Sequence, residues 1–475
     1  PNQLNAFLAK LLTYLKEETL KNGEMIEVEA NHIFLASALN KTKLGFVYPG
    51  QGSQQINMAR NLIKRFDWAK EMLCDADKIL KESGWEDKSL STFIYKSTDR
   101  AKDEEQKEAW FSELTNTDVA QPAICFASSL WTERLKRLGI EPNVVGGHSL
   151  GELSAFSAAG AFEYKSLISL AQLRGTAMQN TPSKGSMAAI LSSLENVKSM
   201  LSTIDGYLTV ANINSPEQIV VSGDDEAINA LVSLAVAQEI RAKKLNVSNA
   251  FHSKLVEEAS SILHAKAPIS KELHSQCKII SSVTTKRAES NMNMVKYFGD
   301  QVLSQVDFVG LVNEMRKECD IFLEVGPGRV LSGMISYIDK ELIALPVEAE
   351  ATNDISLNKI VAYYFVSGGE VNWSELYDSR LIREFTPASE KKFLESYCEQ
   401  EFNVSKLSAN TSNLFHSTNN VSSQNGISSL TNVIETLQMI EDSKILNAVQ
   451  ALNGSIVTSN TNTVETSPIK ETPLV

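Results

Sequence analysis

The feature that most constrains the fold of this chain is a junction that occurs three times. At each one, a short apolar strand runs straight into a glycine-containing turn and then into a helical segment. The apolar strands occupy 44–48, 144–145 and 321–325. Strands of a parallel sheet are buried on both faces, so they read as apolar runs that alternate with helices. The pattern therefore predicts an α/β fold built on a parallel sheet.

The order of predicted strands and helices changes between residues 185 and 248. Strands are predicted at 186–191, 207–213, 218–222 and 241–247, with helices at 194–204 and 224–239. A β-α-β-β-α-β order within about 60 residues is that of the ferredoxin-like arrangement. We therefore expect residues 185–248 to form a small subdomain, inserted into a larger core made of 44–184 and 249–345.

The flanking segments differ from the core in composition. Leucines at near-helical spacing (Leu4, Leu8, Leu11, Leu12 and Leu15) predict a helical N-terminal lead-in over 1–43. Residues 346–402 are foldable and are interpreted as a linker that follows the core. In 403–433, 18 of 31 residues are Ser, Thr or Asn, which predicts that the tail over 403–475 is partly disordered. A short amphipathic helix is expected at 430–452. The chain begins at Pro1, which suggests a processed protein or an excised segment.

Composition excludes several classes of function. Lys plus Arg number 45 against 58 for Asp plus Glu, a net charge of −13 that argues against nucleic acid as the main partner. The five cysteines lack metal-ligand spacing and favour a reducing cytoplasm over a disulfide framework. No apolar run reaches the roughly 18 residues of a membrane span. We therefore expect neither a metal nor a membrane anchor.

A candidate nucleophile lies at the second junction, in Gly147-His148-Ser149-Leu150-Gly151. The pattern G-x-S-x-G is that of a sharp strand-to-helix turn, which exposes a serine hydroxyl at the edge of a parallel sheet. The N–H groups of the following helix start are unpaired and can bind a developing oxyanion. A simpler interpretation is a helix N-terminal turn with an incidental serine.

A serine hydroxyl needs a base, and the best candidate among the histidines is His252. It follows the last strand of the inserted segment, 103 residues after Ser149. His148 is expected to point away from its neighbour on the turn. The other histidines belong to the lead-in, the surface or the tail: His32, His264, His274 and His416. A single histidine is more often structural, so the pairing with Ser149 stays open at this point.

Four motifs in register carry a resemblance to a known family. They lie at 46–54 (from Phe46 to Gln54), 147–152, 250–253 and 324–328. Together they resemble the malonyl-CoA:acyl-carrier-protein acyltransferases of fatty-acid and polyketide synthases. The likeness covers about 44–345, and 368–373 resembles the linker that follows such domains in multidomain synthases. The resemblance implies an α/β-hydrolase-like core with an inserted ferredoxin-like subdomain.

The resemblance also implies a catalytic arrangement. Ser149 would attack an acyl thioester, with His252 as general base and later general acid. The backbone N–H groups of Gln51 and Leu150 would bind the oxyanion. The backbone carbonyl of Gln301 would orient the histidine; the simpler interpretation of Gln301 is a surface amide of a helix.

Substrate selection is implied by a second set of residues. Arg174, 25 residues after Ser149, is similar to the arginine that pairs with the free carboxylate of the substrate in this family. A guanidinium can grip a carboxylate with two parallel hydrogen bonds. Phe251 would crowd a C2 methyl group, and Met178, Asn212 and Asn214 would line the same pocket. The simpler interpretations are a surface arginine and, for the two asparagines, a turn signature.

The implied partners are malonyl-CoA, which is a substrate and not a cofactor, and an acyl carrier protein with a phosphopantetheine arm. Neighbouring domains of a synthase are also expected. An acidic carrier requires a local basic patch. Two clusters are candidates: Arg241, Lys243 and Lys244, or Arg134, Lys136 and Arg137. Two other functions remain open, a proofreading hydrolase of acyl thioesters and a non-catalytic docking module of a synthase.

Overall fold

The computed structural model describes part of the 475-residue chain. The described residues are the strands at 25–29 and 33–36, by their backbone alone, and 42–378 without 86–87, 98–103, 183–184, 248 and 352. The helix expected at 430–452, the tail over 403–475 and Cys398 lie outside them. The four cysteines inside, Cys74, Cys125, Cys277 and Cys319, are free thiols.

The core is a five-stranded parallel sheet, which confirms the predicted fold class. In their order across the sheet, the strands are β12 (Ile343–Glu348), β11 (Ile321–Pro327), β3 (Leu44–Tyr48), β4 (Val144–Gly147) and β9 (Lys278–Ile279), and every neighbouring pair is parallel. The three central strands are buried along their whole length and are mostly apolar, as expected where helices cover both faces.

Helices pack on both faces of this sheet. The longest runs from Thr117 to Arg137 and is apolar on most sides, so that its middle lies in the protein interior. The N-terminal group is Arg60–Arg65 (α1), Asp67–Glu82 (α2), Leu90–Ile94 (α3), Glu104–Thr115 (α4), Thr117–Arg137 (α5), Gly151–Ala158 (α6) and Tyr164–Gln179 (α7). The later helices are Glu257–Lys266 (α10), Met294–Gln301 (α11), Phe308–Met315 (α12), Val330–Ile338 (α13), Ile355–Val366 (α14) and Trp373–Tyr377 (α15).

The inserted segment forms a second sheet in the predicted β-α-β-β-α-β order. Its four strands run antiparallel in the order β6-β7-β5-β8, and two helices pack on them. A fifth strand, β10 (Val306–Asp307), comes from the core segment and pairs in parallel with β6. The bounds are Ser186–Ile190 (β5), Leu194–Leu201 (α8), Leu208–Ser215 (β6), Gln218–Gly223 (β7), Asp225–Ala237 (α9) and Ala242–Lys244 (β8).

The helical prediction for 1–43 is wrong over its described part. Strands β1 (Met25–Glu29) and β2 (Ile33–Ala36) form an antiparallel pair there. From Ile26 to Glu29, β1 alternates apolar and acidic residues, which is the two-residue period of a strand. The leucines earlier in the segment are instead spaced three to four residues apart for the most part, as in a helix. Residues 1–24, which contain those leucines, lie outside the described residues.

Candidate active site

Ser149 occupies a strained turn between β4 and α6. Its φ of 50° lies in the left-handed region, which a non-glycine residue adopts at a cost. The glycines on either side make the turn possible: a Cβ on Gly151 would lie 1.9 Å from the backbone oxygen of Tyr48, and one on Gly147 would meet the backbone of Gly151 at 2.2 Å. Close packing of the turn on β3 thus holds the serine at the carboxyl edge of the sheet.

The structure brings Ser149 and His252 together. Ser149 Oγ lies 2.6 Å from His252 Nε2, and the imidazole is buried. His252 also has a positive φ, 56°. A hydrogen bond of this length, between a hydroxyl and a ring nitrogen in one cavity, is the geometry that a nucleophile and its base require.

Two backbone carbonyls fix the histidine from its other side. His252 Nδ1 lies 2.8 Å from the carbonyl oxygen of Ser304 and 3.2 Å from that of Gln301. Because both oxygens accept, the proton belongs on Nδ1 and leaves Nε2 free to accept from Ser149. Ser304 was not predicted, and it is the nearer of the two. The sequence signal that could have indicated Ser304 is its place just after the C-terminal end of α11. Backbone carbonyls near a helix C-terminus lack partners within the helix and are available to accept from other groups.

The environment keeps the histidine neutral. Burial lowers the pKa of His252 to about 3, with further contributions from the charge of Arg174 and from His148, against the two backbone hydrogen bonds. A neutral imidazole is the form that can accept a proton from the serine.

Arg174 is buried beside the serine, so the interpretation as a surface arginine is wrong. Its side chain is 2% exposed, and its Nη2 donates to Ser149 Oγ and to Gln301 Oε1, each at 3.3 Å. Burial lowers its pKa to about 10, which leaves the guanidinium charged at neutral pH. Its Nε has no partner within the described residues. A buried cation with a free N–H is a site for an anion.

These groups line one cavity of about 510 Å³ between the two sheets. Gln51 and Leu150, which follow β3 and β4, contribute to its wall, and their backbone N–H groups have no hydrogen-bond partner within the described residues. The other predicted pocket residues, Met178, Asn212, Asn214 and Phe251, line the same cavity. The structure therefore assembles every residue of the predicted catalytic and pocket sets.

His148 does not point away, contrary to the prediction. It lines the cavity, and its Nε2 lies 2.8 Å from Asn214 Oδ1 and 3.4 Å from Asn212 Nδ2. The two asparagines therefore hold a histidine and are not only a turn signature.

Gln121 is a cavity residue that the sequence analysis missed. It lies on α5, is fully buried, and its Oε1 has no partner within the described residues. Its Nε2 makes one weak contact, 3.5 Å from the sulfur of Met178. A single polar residue within the apolar stretch 119–127 of this helix was the signal that could have indicated it.

One member of the second predicted basic cluster, Arg134, is misplaced, whereas Lys136 is exposed and Arg137 is partly exposed. Arg134 is fully buried, stacks on Phe66 with its guanidinium 4.5 Å from the ring centroid, and donates to the backbone of Glu375. It therefore cannot face a partner. In the other cluster, Lys243 and Lys244 lie at the cavity wall and are exposed, as is Arg241, although Lys244 is paired with Asp225 at 2.8 Å.

Neither a metal site nor a membrane span is found within the described residues. They contain no group of three His, Cys, Asp or Glu side chains that could hold a metal ion. None of their helices is both long and apolar enough to cross a bilayer.

Comparisons with known proteins agree with this geometry. The model of the family described as acyl transferase domain matches residues 45–342. The chain is 31% identical over 327 residues to the malonyl CoA-acyl carrier protein transacylase of Bacillus subtilis (strain 168), covering 67% of this chain and 98% of that protein. It is 30% identical over 348 residues to the squalestatin tetraketide synthase of Phoma sp. (strain C2932), covering 68% of this chain but 13% of that protein. The solved structure of a malonyl CoA-acyl carrier protein transacylase from Clostridium perfringens superposes with a TM-score of 0.58 at 28% identity, covering 68% of this chain and 96% of that one.

Proposed function

This chain belongs to the acyl transferase domain family, and we propose that it moves a malonyl group from malonyl-CoA to the phosphopantetheine thiol of an acyl carrier protein. One observation carries the choice of substrate: the buried guanidinium of Arg174 lies 3.3 Å from the hydroxyl of Ser149. An acyl group on this serine therefore has a cation within reach of its far end. A malonyl group carries a carboxylate there, whereas an acetyl group leaves the cation unpaired.

The first half-reaction loads the enzyme. Ser149 Oγ attacks the thioester carbonyl carbon while its proton passes to His252 Nε2, 2.6 Å away. The N–H groups of Gln51 and Leu150 stabilise the tetrahedral oxyanion. The intermediate collapses by breaking the C–S bond, and His252 returns the proton to the CoA thiolate. The product is malonyl-Ser149 and free CoA.

The second half-reaction reverses these roles. The carrier thiol gives its proton to His252 and attacks the malonyl ester. The intermediate then breaks the bond to Ser149 Oγ, which regains the proton. In each half-reaction, the malonyl group moves between a thiol and Ser149, and one proton passes through His252. The proposed reaction therefore requires neither a metal nor a cofactor, and CoA is only a substrate.

The charge of the substrate affects the pKa of His252 in this mechanism. The positive charge of Arg174 is one of the causes that lower the pKa of His252. A malonyl carboxylate paired with Arg174 offsets that charge, and therefore raises the pKa of His252 while the serine is being deprotonated. A neutral acyl group cannot have this effect, which adds to the preference for a dicarboxylic substrate.

The remaining pocket residues limit substrate shape. Phe251 is largely buried at the cavity wall next to the base, and its ring would crowd a methyl group on C2 of the acyl chain. This position supports a preference for malonyl over methylmalonyl groups. Met178 contributes an apolar wall, while Asn212 and Asn214 present amides near His148.

We assign carrier docking to the exposed basic residues at the cavity wall. Lys243 and Arg241 are exposed, and Lys243 lines the cavity through which the phosphopantetheine arm must enter. Lys244, paired with Asp225, has a smaller part. A cytoplasmic location and neighbouring synthase domains are parts of the same proposal, supported by the free cysteines and by the likeness to one stretch of a much longer synthase.

Intact mass spectrometry tests the proposal. Protein incubated with malonyl-CoA should gain one malonyl group, which passes to an added holo carrier protein. The adduct should be absent in Ser149→Ala and present in the control Ser157→Ala, which changes a half-buried serine of the helix that follows the turn. Free malonate without transfer to the carrier would instead identify a hydrolase and overturn the proposal.

A further inference from the structure

A buried carboxylate lies behind the catalytic residues without contacting the cavity. Glu152, on the first turn of α6, is fully buried. Its Oε1 accepts hydrogen bonds from the backbone N–H of Ser282 at 2.7 Å and from the hydroxyl of Tyr297 at 2.8 Å, while its Oε2 accepts from Gln301 Nε2 at 2.8 Å. All three partners donate. Burial raises the pKa of Glu152, and these three bonds oppose the shift because they favour the carboxylate.

Gln301 connects this carboxylate to the substrate-facing arginine. Its side-chain Nε2 donates both to Glu152 and, at 2.8 Å, to the backbone oxygen of Ser149, and its Oε1 accepts from Arg174 Nη2 at 3.3 Å. The orientation of the amide is determined by its neighbours. A guanidinium can only donate and a carboxylate can only accept, so the reversed amide would lose its bonds to both.

Arg174 depends on this connection for its position. Within the described residues it forms no ion pair with a carboxylate, and its guanidinium contacts are Ser149 Oγ and Gln301 Oε1. The charge of Glu152 favours the charged form of the arginine. A carboxylate in direct contact would compete with the substrate, whereas one placed behind an amide stabilises the cation and leaves its outward N–H groups available.

We propose that Glu152 is a positioning residue for substrate selection: through the Gln301 amide it holds the Arg174 guanidinium beside Ser149, so that the enzyme prefers acyl groups with a terminal carboxylate. The inference rests on the proposed function, because it concerns the arginine that grips the malonyl group. It assigns no chemical step to Glu152, whose atoms do not reach the substrate.

The test is a change of hydrogen-bond polarity at one position. Glu152→Gln keeps the size of the side chain but offers an amide N–H to Gln301 Nε2, which turns the Gln301 amide around and sets its N–H groups against Arg174. We expect malonyl loading to fall relative to acetyl loading by about tenfold or more, the range of a charge-assisted hydrogen bond. The loading rates with malonyl-CoA and acetyl-CoA are followed by intact mass.

Tyr297→Phe is the matched control. It removes one donor to Glu152 and leaves the Gln301 bond in place, so its ratio should remain within about twofold of the wild type. The proposal is overturned if Glu152→Gln slows both acyl groups in parallel.

Two further measurements keep the test decisive. If Glu152→Gln does not fold, Gln301→Met removes the amide directly and should lower the same ratio; an unchanged ratio overturns the proposal. In the Ser149→Ala background, calorimetry gives the ratio of Kd values for malonyl-CoA and acetyl-CoA without any chemistry. This separates the two hypotheses: failure of acyl transfer with a ratio that still depends on Glu152 contradicts the proposed function and supports the positioning role.

Discussion

At the scale of single residues, the site concentrates backbone strain on the two groups that exchange a proton. Ser149 and His252 both have left-handed φ values, at 50° and 56°. Each such residue costs on the order of 1–3 kcal/mol and persists only where its surroundings hold it. Here the holding contacts are the glycine-lined turn on one side and the carbonyls of Gln301 and Ser304 on the other.

The charge of Arg174 leads to a prediction about His252. Removing a neighbouring positive charge favours the imidazolium, so Arg174→Ala should raise the pKa of His252 from its value of about 3 toward the ordinary range. Malonyl loading should fall at the same time by about tenfold to a hundredfold relative to acetyl loading. An NMR titration of labelled histidine measures the pKa. Arg137→Ala, away from the cavity, is the control, and an unchanged pKa in Arg174→Ala would contradict the assigned coupling.

At the scale of elements, the site depends on how closely β3, β4 and α6 approach. The paired ends Tyr48 and Gly147 put the turns after both strands at one edge of the sheet. The segment from the end of α11 to β10 makes two kinds of contact. The carbonyls of Gln301 and Ser304 fix His252, and β10 pairs with β6, the strand that carries Asn212. One short segment thus connects the base to the inserted subdomain.

Gly151 tests the importance of that close approach. Gly151→Ala would put a Cβ 1.9 Å from the oxygen of Tyr48 and 2.9 Å from that of Pro49, both of them backbone atoms in the sheet edge. The strand and helix must separate, so we expect a loss of several kcal/mol in the free energy of unfolding together with loss of malonyl loading. Urea denaturation and intact mass measure the two effects. Ser157→Ala, in the same helix, removes one hydrogen bond to the backbone oxygen of Phe162, so it should cost no more than about 1 kcal/mol and leave malonyl loading unchanged. A stable, active Gly151→Ala would refute the argument.

At the scale of the whole molecule, a second buried carboxylate joins distant parts of the core. Glu348, at the end of the edge strand β12, accepts from the backbone N–H of Ala59 at 2.8 Å and from Trp131 Nε1 at 2.9 Å. Burial raises the pKa of Glu348 to about 8 despite these bonds. The three segments that it joins lie more than 70 residues apart along the chain.

This carboxylate makes stability depend on pH. A carboxyl group whose folded pKa is raised contributes stability that is present below its unfolded pKa of about 4.5 and is lost as the pH rises through about 8. The wild type should therefore lose thermal stability between pH 5 and pH 9 relative to Glu348→Gln, which carries no charge at any of these values. Calorimetry of both proteins across that range measures the difference in Tm. A difference that does not grow with pH would contradict the assignment.

Features of this protein that depend on neighbouring residues could be predicted from the sequence, whereas features that depend on contacts between distant residues could not. The fold class and the order of strands and helices follow from local apolar patterns, and the chemistry of Ser149, His252 and Arg174 follows from residue type and motif register. The strands at 25–36 were missed because the helical prediction, which rests on leucines between residues 4 and 15, was extended to residue 43, where that spacing does not continue. The orientation of His148 and the burial of Arg134 were wrong because each depends on packing against residues that are distant in the sequence.

The sequence by itself determined which side chains can attack, accept a proton and grip a carboxylate, because those capacities are properties of the residues. Only the tertiary structure decided that Ser304 is the nearer of the two carbonyls that fix the base, and that Glu152 supports the arginine through Gln301. These contacts join segments separated by 52 to 149 residues. Hydrogen-bond partners at such separations are selected by how the sheets and helices pack, and no local pattern in the chain encodes them.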